Sequence, residues 1–256
     1  GDNSIQLRSN HLPGSRIIVC RSRVYVLCMT NELAFSRTPD VRRRTNMSIS
    51  IIGAGNMAKG LAARFASAGH PVTLASRDKT KADAAAREVG NGVSSAPIAA
   101  AAQSADVVFL AVPFDAAGDI IEAVGGFAGK IVVDITNPMK ADFSGLSIGH
   151  TTSAAEEIQK RAPQAKIVKA FNTIFAQVLQ NASQAAGRPA TVFVAGDDEA
   201  ARAAVAELAR GAGFETLETG PLATARYLEP VAALNITLGY GLGHGTDIAP
   251  TWQRAA

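Results

Sequence analysis

The arrangement of apolar and polar residues after Met47 predicts a regular alternation of strands and helices. Continuously apolar runs, which are typical of strands buried on both faces, occur at "SISII", "PVTLAS", "ADVVFLAVP", "KIVVDITNP" and "AKIVKAFNT", and Val93 starts a further short strand. Between these runs, apolar residues recur three and four positions apart, and "TKADAAAREVG" ends in a glycine, Gly90, which is a common helix terminus. This alternation predicts an α/β fold with a Rossmann-type, doubly wound and mainly parallel sheet.

The pattern changes near residue 175. Two apolar runs, "ATVFVAG" and "FETLETG", predict strands on either side of a helix, and "ATARYLEPVAALNITLGYGLG" predicts a long helical segment interrupted at Pro230. We therefore expect the Rossmann domain at residues 47–174 and a smaller C-terminal α+β lobe at residues 175–256. The helix from Ala223 to Tyr240 is more apolar than one buried face requires, so we expect it to contribute to a homodimer contact.

Residues 1–46 lack this pattern and differ in composition. They contain eight arginines, no lysine, three acidic residues and both cysteines, Cys20 and Cys28. We expect a disordered extension outside the folded core. Basic residues concentrated there, rather than on the folded part, argue against a nucleic-acid partner, and no apolar run reaches the roughly 18 residues that a membrane span requires. Because the rest of the chain has no cysteine, we expect a reducing, cytoplasmic location.

The turn "GAGNMA" follows the first strand and opens the first helix of the predicted Rossmann domain. Each position of this G-x-G-x-x-A pattern has a steric role at a dinucleotide site. Gly53 permits the tight turn, Gly55 lets a pyrophosphate approach the backbone, and Ala58 lets the helix pack closely on the strand. The free N–H groups at the start of that helix would face the phosphates. This strand, turn and helix context distinguishes the pattern from glycine turns that bind nothing.

The end of the second strand of that domain indicates which dinucleotide is bound. About twenty residues after the glycines, an NAD site has an acidic residue that binds the ribose hydroxyls, whereas this chain has Ser76 and Arg77, followed by Lys79 and Lys81. A hydroxyl, a guanidinium and an ammonium group can neutralise and hydrogen-bond a 2′-phosphate. The alternative, which Asp78 leaves open, is a solvated cluster at a helix start, but basic residues in a first helical turn oppose the helix dipole. The predicted cofactor is NADP(H).

Seven segments, in the same order along the chain, carry a resemblance to a known family. From Met47 to Tyr240, the chain resembles the F420-dependent NADP oxidoreductases, which pass hydride between NADP(H) and a deazaflavin, and the related cytosolic domain of the STEAP metalloreductases. The segments are "IIGAGNMAKGLAARFASAGHPVTLASRD", "VVFLAVP", "IVVDITNP", "SAAEEI", "VKAFNTIFA", "VFVAGDDEAAR" and "ETGPLATARYLEP".

The resemblance implies cofactor contacts at the ends of successive strands. They would be Ser76, Arg77 and Lys81 at the 2′-phosphate; Gly55, Asn56 and Met57 at the pyrophosphate; Val112 and Pro113 beneath the middle of the cofactor; Asn137 and Pro138 near the nicotinamide ribose; and Ala176, through a backbone group, at the carboxamide. Asn172 stands where the archaeal deazaflavin enzymes tend to have histidine and is more like the metalloreductase version. The acceptor, for which we expect a pocket in the C-terminal lobe, therefore stays open between F420, FMN and FAD.

The chemistry implied by the resemblance asks little of side chains. Hydride transfer between two rings needs stacking and the exclusion of water rather than an acid or a base, so we expect no catalytic side chain and no metal site. Asp115 and Asp134 are interpreted as a helix cap and a strand-end partner. Phe171 and Phe175 could line the acceptor pocket or pack in the core.

Two other functions compete with an NADPH-dependent flavin or deazaflavin reductase. "IIGAGNMA" also resembles the opening of pyrroline-5-carboxylate reductase, an imine reductase, but that class needs a long all-helical C-terminal domain, whereas residues 175–256 begin with predicted strands. The other is a non-catalytic NADPH sensor, since a hydride-transfer site without catalytic side chains looks the same as a binding site. Turnover with a flavin-like acceptor would distinguish the reductase from the sensor.

Overall fold

A computed structural model describes residues 15–20, 23–28, 46–180, 184–185 and 187–252. In the N-terminal unit, strands β1 (Ser15–Cys20) and β2 (Arg23–Cys28) pair in antiparallel register. Two β-branched apolar runs two residues apart suit such a hairpin, and the expectation of a disordered extension stays a prediction. Residues 1–14, 21–22 and 29–45, on which the same prediction falls, lie outside the described residues.

Residues 45–256 form one compact unit built on an eight-stranded sheet. Its strands are β3 (Ile49–Ile52), β4 (Val72–Ala75), β5 (Ser94–Ser95), β6 (Val107–Leu110), β7 (Ile131–Asp134), β8 (Lys166–Lys169), β11 (Thr191–Gly196) and β12 (Glu215–Gly220). The order β12-β11-β8-β7-β6-β3-β4-β5 places β3 between β4 and β6, with the chain first running outward through β4 and β5 and then returning to the other side of β3 at β6. This doubly wound, mainly parallel arrangement confirms the predicted fold class.

Eight α-helices occur in the described part of this unit. They are α1 (Asn56–Ser67), α2 (Lys79–Val89), α3 (Ile98–Ser104), α4 (Phe114–Val124), α5 (Ala154–Arg161), α6 (Ala176–Gln180), α7 (Glu199–Gly211) and α8 (Ala225–Ile236). The sequence pattern did not indicate α3, whose alanine-rich turns have little amphipathic contrast. At α5, the Ser153 side chain accepts from the Glu156 N–H and donates to the Glu156 carboxylate, as its capping-box spacing predicts. None of the described helices is long and apolar enough to cross a membrane.

The C-terminal lobe continues the Rossmann sheet. A small hairpin of β9 (Gln184–Ala185) and β10 (Arg188–Pro189) precedes β11, which pairs antiparallel with β8 and parallel with β12. Helix α8 runs through Pro230 without interruption and passes into a π-helical turn, Thr237–Gly241, so the expected break is absent. Pro230 lies on the exposed side of α8, where water can satisfy the carbonyl group that its missing N–H leaves free.

Both faces of the sheet are covered. Alternate residues of each central strand point to opposite faces, so Phe109 packs with Phe65 and Phe171 on one face, while Val108 and Leu110 pack against helices of the other face. Because helices cover both faces, the carboxyl edge of the parallel strands is the part of the sheet where residues of successive loops can meet a ligand.

Candidate cofactor and acceptor site

Gly53 lies where the order of the strands reverses. It follows β3, the strand that pairs with β4 on one side and β6 on the other. Its φ of +146° is one that side chains rarely tolerate, and a Cβ at this position would overlap the carbonyl oxygen of Ala111, just after β6. The loops after β3 and β6 therefore touch, and only glycine fits between them.

Helix α1 begins directly after this turn with an uncapped N-terminus. Gly55 is the N-cap, no side chain caps the helix, and its first turn has no acidic residue. The first backbone bond of the helix joins the Lys59 N–H to the Gly55 carbonyl at 3.0 Å, which leaves the preceding N–H groups without helical partners. No described atom lies within 4 Å of a Cβ built at Gly55. This open, electropositive helix end fits a pyrophosphate, while the buried Ala58 packs in the core one turn further on.

The basic cluster after β4 is only partly neutralised by its own acidic residues. Asp78 caps α2 by accepting from the N–H groups of Thr80 and Lys81, and Lys79 forms an ion pair with Asp83 at 2.7 Å. Among the described residues, no acid pairs with Arg77 or Lys81, and both side chains are exposed. The carboxylate that left the alternative interpretation open is thus occupied as a helix cap. Two free cations beside the Ser76 hydroxyl are the donor set that a 2′-phosphate needs.

A pocket of about 280 Å³ opens beside the N-terminus of α1. Five of the predicted site residues line it, together with nine that the resemblance did not indicate, and none of these lining residues is charged. The five are Asn56, Met57, Asn137, Asn172 and Ala176; the nine are Ile135, Thr173, Ile174, Phe175, Gln177, Ala232, Asn235, Ile236 and Tyr240. Amide and hydroxyl groups alternate here with apolar side chains, which suits a flat, neutral ring with polar edges.

Two asparagine side chains are fixed in orientation at this pocket. Asn137 Nδ2 donates to the Asn172 carbonyl at 2.8 Å, which turns Asn137 Oδ1 toward the Asn172 amide. Asn172 Nδ2 then donates to Asn137 Oδ1 at 3.0 Å and to the Leu228 carbonyl at 3.2 Å. Since both partners of Nδ2 are acceptors, the Asn172 amide cannot be flipped. Asn172 Oδ1 and Thr173 Oγ1 are buried without a partner among the described residues.

The other predicted residues lie along the same edge of the sheet but do not line this pocket. Val112 and Pro113 follow β6, and Pro113 is the N-cap residue of α4. Pro138 is buried, and its carbonyl accepts from the Ser147 N–H and hydroxyl at 2.7 and 3.0 Å. The ends of β3 and β4 carry the remaining predicted residues, Gly53, Gly55, Ala58 and the Ser76 cluster. All the predicted cofactor residues therefore lie at one edge of the sheet, but only five of them line the pocket.

Of four side-chain interpretations, one is corrected, one agrees with the structure and two are resolved. Asp115 lies in the first turn of α4 but makes no capping hydrogen bond, because Pro113 holds the N-cap position. Asp134 is a strand-end partner as expected, accepting from the Thr136 N–H at 2.8 Å. Phe171 is fully buried against Phe65, Phe109 and Phe214, whereas Phe175 lines the pocket.

Three charged side chains are buried together beneath the pocket wall. Lys169 Nζ, with no exposed surface, lies 2.8 Å from Asp134 Oδ2 and 2.8 Å from Glu229 Oε1. Glu229 also accepts from the N–H groups of Ala154 and Ala155 at the start of α5, at 3.0 and 3.3 Å. We call Asp134, Lys169 and Glu229 the buried triad. It joins the ends of β7 and β8 to α8 and α5.

Within the triad, the pKa values of Lys169 and Glu229 are both raised, for different reasons. Burial alone would lower the pKa of Lys169, but the Asp134 and Glu229 carboxylates outweigh it and raise that pKa above its ordinary value. Burial raises the pKa of the Glu229 carboxyl, although the Lys169 charge and the α5 N–H groups oppose this shift. Lysine within a buried apolar run and glutamate within an apolar helix were visible in the sequence, and each signals a buried partner.

Comparison with known proteins agrees with this geometry. A family model described as NADP oxidoreductase, coenzyme F420-dependent, matches residues 48–138. The F420-dependent NADP reductase of Methanothermobacter thermautotrophicus is 34% identical over 208 residues, covering 75% of this chain and 89% of that protein. The crystal structure of a putative F420-dependent NADP reductase from Arthrobacter sp. FB24 is 31% identical, with a TM-score of 0.74 over 81% of this chain and 100% of that one.

A metalloreductase is also similar, over part of its length. Metalloreductase STEAP3 of Rattus norvegicus is 33% identical over 186 residues, which cover 72% of this chain. The match covers 36% of STEAP3, so this chain spans about a third of that relative. The family model and the relative that is matched over 89% of its length support NADP(H) as the cofactor of the site described above. By identity, coverage and fold, the chain belongs to the F420-dependent NADP oxidoreductase family, and with it to the NADP-dependent oxidoreductases.

Proposed function

We propose that this protein transfers a hydride between NADP(H) and a flavin-like acceptor: F420, FMN or FAD. The observation that carries the proposal is the uncharged 280 Å³ pocket beside the open N-terminus of α1. It adjoins the turn that fits the pyrophosphate, and its amide groups match the carbonyl and N–H edge that flavins and deazaflavins share. Relatives named F420-dependent NADP reductase support an acceptor of this class.

The residues of this chain would bind, orient and exclude water. Bound NADPH supplies the hydride, which carries two electrons to the acceptor ring and leaves NADP⁺, while a proton reaches the acceptor from solvent. Arg77, Lys81 and Ser76 hold the 2′-phosphate, and the N–H groups of Asn56 and its neighbours hold the pyrophosphate. These contacts fix one end of the cofactor so that its other end lies at the pocket.

The walls of the pocket would control access to the acceptor ring. Phe175 and Tyr240 meet edge to face, with ring centroids 5.4 Å apart, and supply an apolar wall that keeps water from the reacting rings. Asn172 Oδ1 is buried without a partner among the described residues, and a donor group of a bound ring or carboxamide would satisfy it. No described side chain at the pocket is required as an acid or a base.

An imine reductase of the pyrroline-5-carboxylate type is the weaker alternative. That interpretation requires a helical C-terminal domain, whereas β11 and β12 extend the Rossmann sheet here. A non-catalytic NADPH sensor remains the other alternative, and the proposed experiment distinguishes it.

The function is tested by following NADPH absorbance with F420, FMN and FAD offered in parallel. Wild type is compared with Arg77→Ala, using NADPH and NADH in turn. Loss of a charge-assisted hydrogen bond of about 1.5–3 kcal/mol should raise the KM for NADPH about 10- to 100-fold and leave NADH unchanged. Lys79→Ala is the matched control, because Lys79 is equally near the start of α2 but is already paired with Asp83.

Each outcome has a distinct meaning. Reduction of one acceptor, with NADPH alone weakened by Arg77→Ala, supports both halves of the proposal. Tight NADPH binding with no acceptor reduced favours the sensor. Equal use of NADH and NADPH by wild type contradicts the role assigned to Ser76 and Arg77.

We also propose that the protein is a homodimer whose contact includes the exposed face of α8 and the turn after it. Tyr227 and Leu234 on α8 are 73% and 59% exposed, and Tyr240 and Leu242 are 68% and 65% exposed. Apolar side chains grouped in this way commonly mark an interface. Analytical ultracentrifugation should show a dimer that Leu234→Glu dissociates, and a wild type that sediments only as a monomer would rule this contact out.

A further inference from the structure

We propose that the buried triad is a positioning device for the acceptor pocket: the Lys169–Glu229 ion pair holds α8 against the ends of β7 and β8 and thereby sets the width of the pocket. This inference rests on the proposed function for its kinetic test. Asp134, Lys169 and Glu229 do not touch the pocket themselves, and none was assigned a role by the resemblance.

Each member of the triad is followed, a few residues further along the chain, by residues that line the pocket. Asp134 ends β7 and is followed by Ile135 and Asn137. Lys169 ends β8 and is followed by Asn172 and Thr173, after which the lining continues into α6. Glu229 lies on α8 at helical spacing from Ala232 and Ile236, and Asn235 of the same helix also lines the pocket. An ion pair among these three residues therefore ties together the elements that form opposite walls.

Three buried polar contacts connect α8 to the end of β8 and the loop that follows it. Lys169 Nζ meets Glu229 Oε1 at 2.8 Å, Asn172 Nδ2 donates to the Leu228 carbonyl at 3.2 Å, and Asn235 Nδ2 donates to the Thr173 carbonyl at 3.1 Å. Two of the three side-chain donors belong to residues that line the pocket. The ion pair is the charged contact of the three, and both of its side chains are at least 99% buried.

The partners of Glu229 explain why its charge matters. All three groups that it meets are donors: the Lys169 ammonium and the N–H groups of Ala154 and Ala155. In Glu229→Gln, the amide nitrogen would face one of these donors whichever way the amide is turned, so one contact must open. Lys169 and Asp134 would remain as a neutral pair, which allows the variant to fold.

The contacts with the phosphate groups of NADP(H) should be insensitive to this change. The Gly53 turn, the N-terminus of α1 and the Arg77 cluster belong to β3, β4, α1 and α2, none of which contacts the triad through a described hydrogen bond or ion pair. Loosening α8 should therefore weaken acceptor binding at the pocket, while the phosphate contacts that anchor NADP(H) stay in place. Replacing a residue needed only for overall stability would weaken acceptor binding and NADP(H) binding together.

The test compares Glu229→Gln with wild type in the full chain. Amide hydrogen exchange of the α8 peptide should become faster, and the KM for the acceptor identified above should rise about tenfold, a loss of the order that a small displacement of a pocket wall produces. The dissociation constant for NADPH, measured by fluorescence titration, should stay within about twofold.

Glu156→Gln is the matched control. Glu156 pairs with Arg226 at 2.6 Å and also links α8 to α5, but this contact is partly exposed. Glu156→Gln should leave the KM for the acceptor and the amide hydrogen exchange of α8 close to their wild-type values. Unchanged α8 exchange in Glu229→Gln, equal effects of the two variants, or an equal loss of NADPH affinity would overturn the inference. If wild type reduces no acceptor, the proposed function fails, while hydrogen exchange still decides whether Glu229 holds α8.

Discussion

Removing the single positive charge of the buried triad should strongly destabilise the protein. Lys169→Met keeps a side chain of similar length but leaves Asp134 and Glu229, which are 0% and 1% exposed, without their shared ammonium group. Breaking a buried ion pair from one side typically costs about 3–5 kcal/mol, because the remaining charge stays buried and unpaired. For a unit of this size, each kcal/mol lowers the Tm by about 2–4 °C, so a decrease of roughly 6–20 °C is expected.

The loss of unfolding free energy in Lys169→Met should increase as the pH rises. Burial already raises the pKa of Glu229 above its ordinary value of 4.5, and without Lys169 that pKa should rise further. A carboxyl group with a higher pKa in the folded state takes up a proton on folding. Its contribution to stability is therefore complete below the unfolded pKa and declines as pH rises through the folded pKa. The difference in free energy of unfolding between wild type and Lys169→Met should be smaller near pH 5 than near pH 8.

Urea unfolding followed by circular dichroism at these two pH values measures the effect. Lys160→Met is the control, because Lys160 pairs with Glu157 on the surface of α5 and its side chain is 65% exposed; it should change stability by less than about 0.5 kcal/mol. The double variant Lys169→Met/Glu229→Gln should recover part of the loss, since one buried charge is then removed. A loss below about 1 kcal/mol, or one that grows as the pH falls, would refute this account of the triad.

Three further substitutions test the turn and a helix cap. Gly53→Ala should cost at least about 2 kcal/mol in thermal melts, because its Cβ overlaps the Ala111 carbonyl at a φ of +146°. Gly55→Ala, where no described atom lies within 4 Å, should leave the Tm nearly unchanged but weaken NADPH binding about tenfold in a fluorescence titration, and unaltered binding would contradict the pyrophosphate assignment. Ser153→Ala should lower the free energy of unfolding by about 1 kcal/mol through loss of the α5 cap, without changing acceptor specificity.

The local features of the cofactor half of the site were predictable because each depends on short-range chemistry. The buried strands, the glycine turn, the end of α2 at Gly90 and the capping box at Ser153 follow from residue type and spacing alone. The preference for NADP(H) likewise rests on a few neighbouring residues around Arg77. The structure adds that Asp78 is occupied as a cap, which strengthens that interpretation.

The acceptor half depended on contacts between distant parts of the chain. No periodicity shows that β11 pairs antiparallel with β8, or that α8 and the turn after it bring Asn235 and Tyr240 to the same pocket as Asn56. Lys169 and Glu229 are 60 positions apart in the sequence, and each alone signals only an unknown buried partner. Sequence by itself therefore determined most of the elements and the preference for NADP(H), because helical and strand patterns and turns act over a few residues. Tertiary structure alone decided which charged and amide groups meet, because burial makes their pairing obligatory only once the chain has folded.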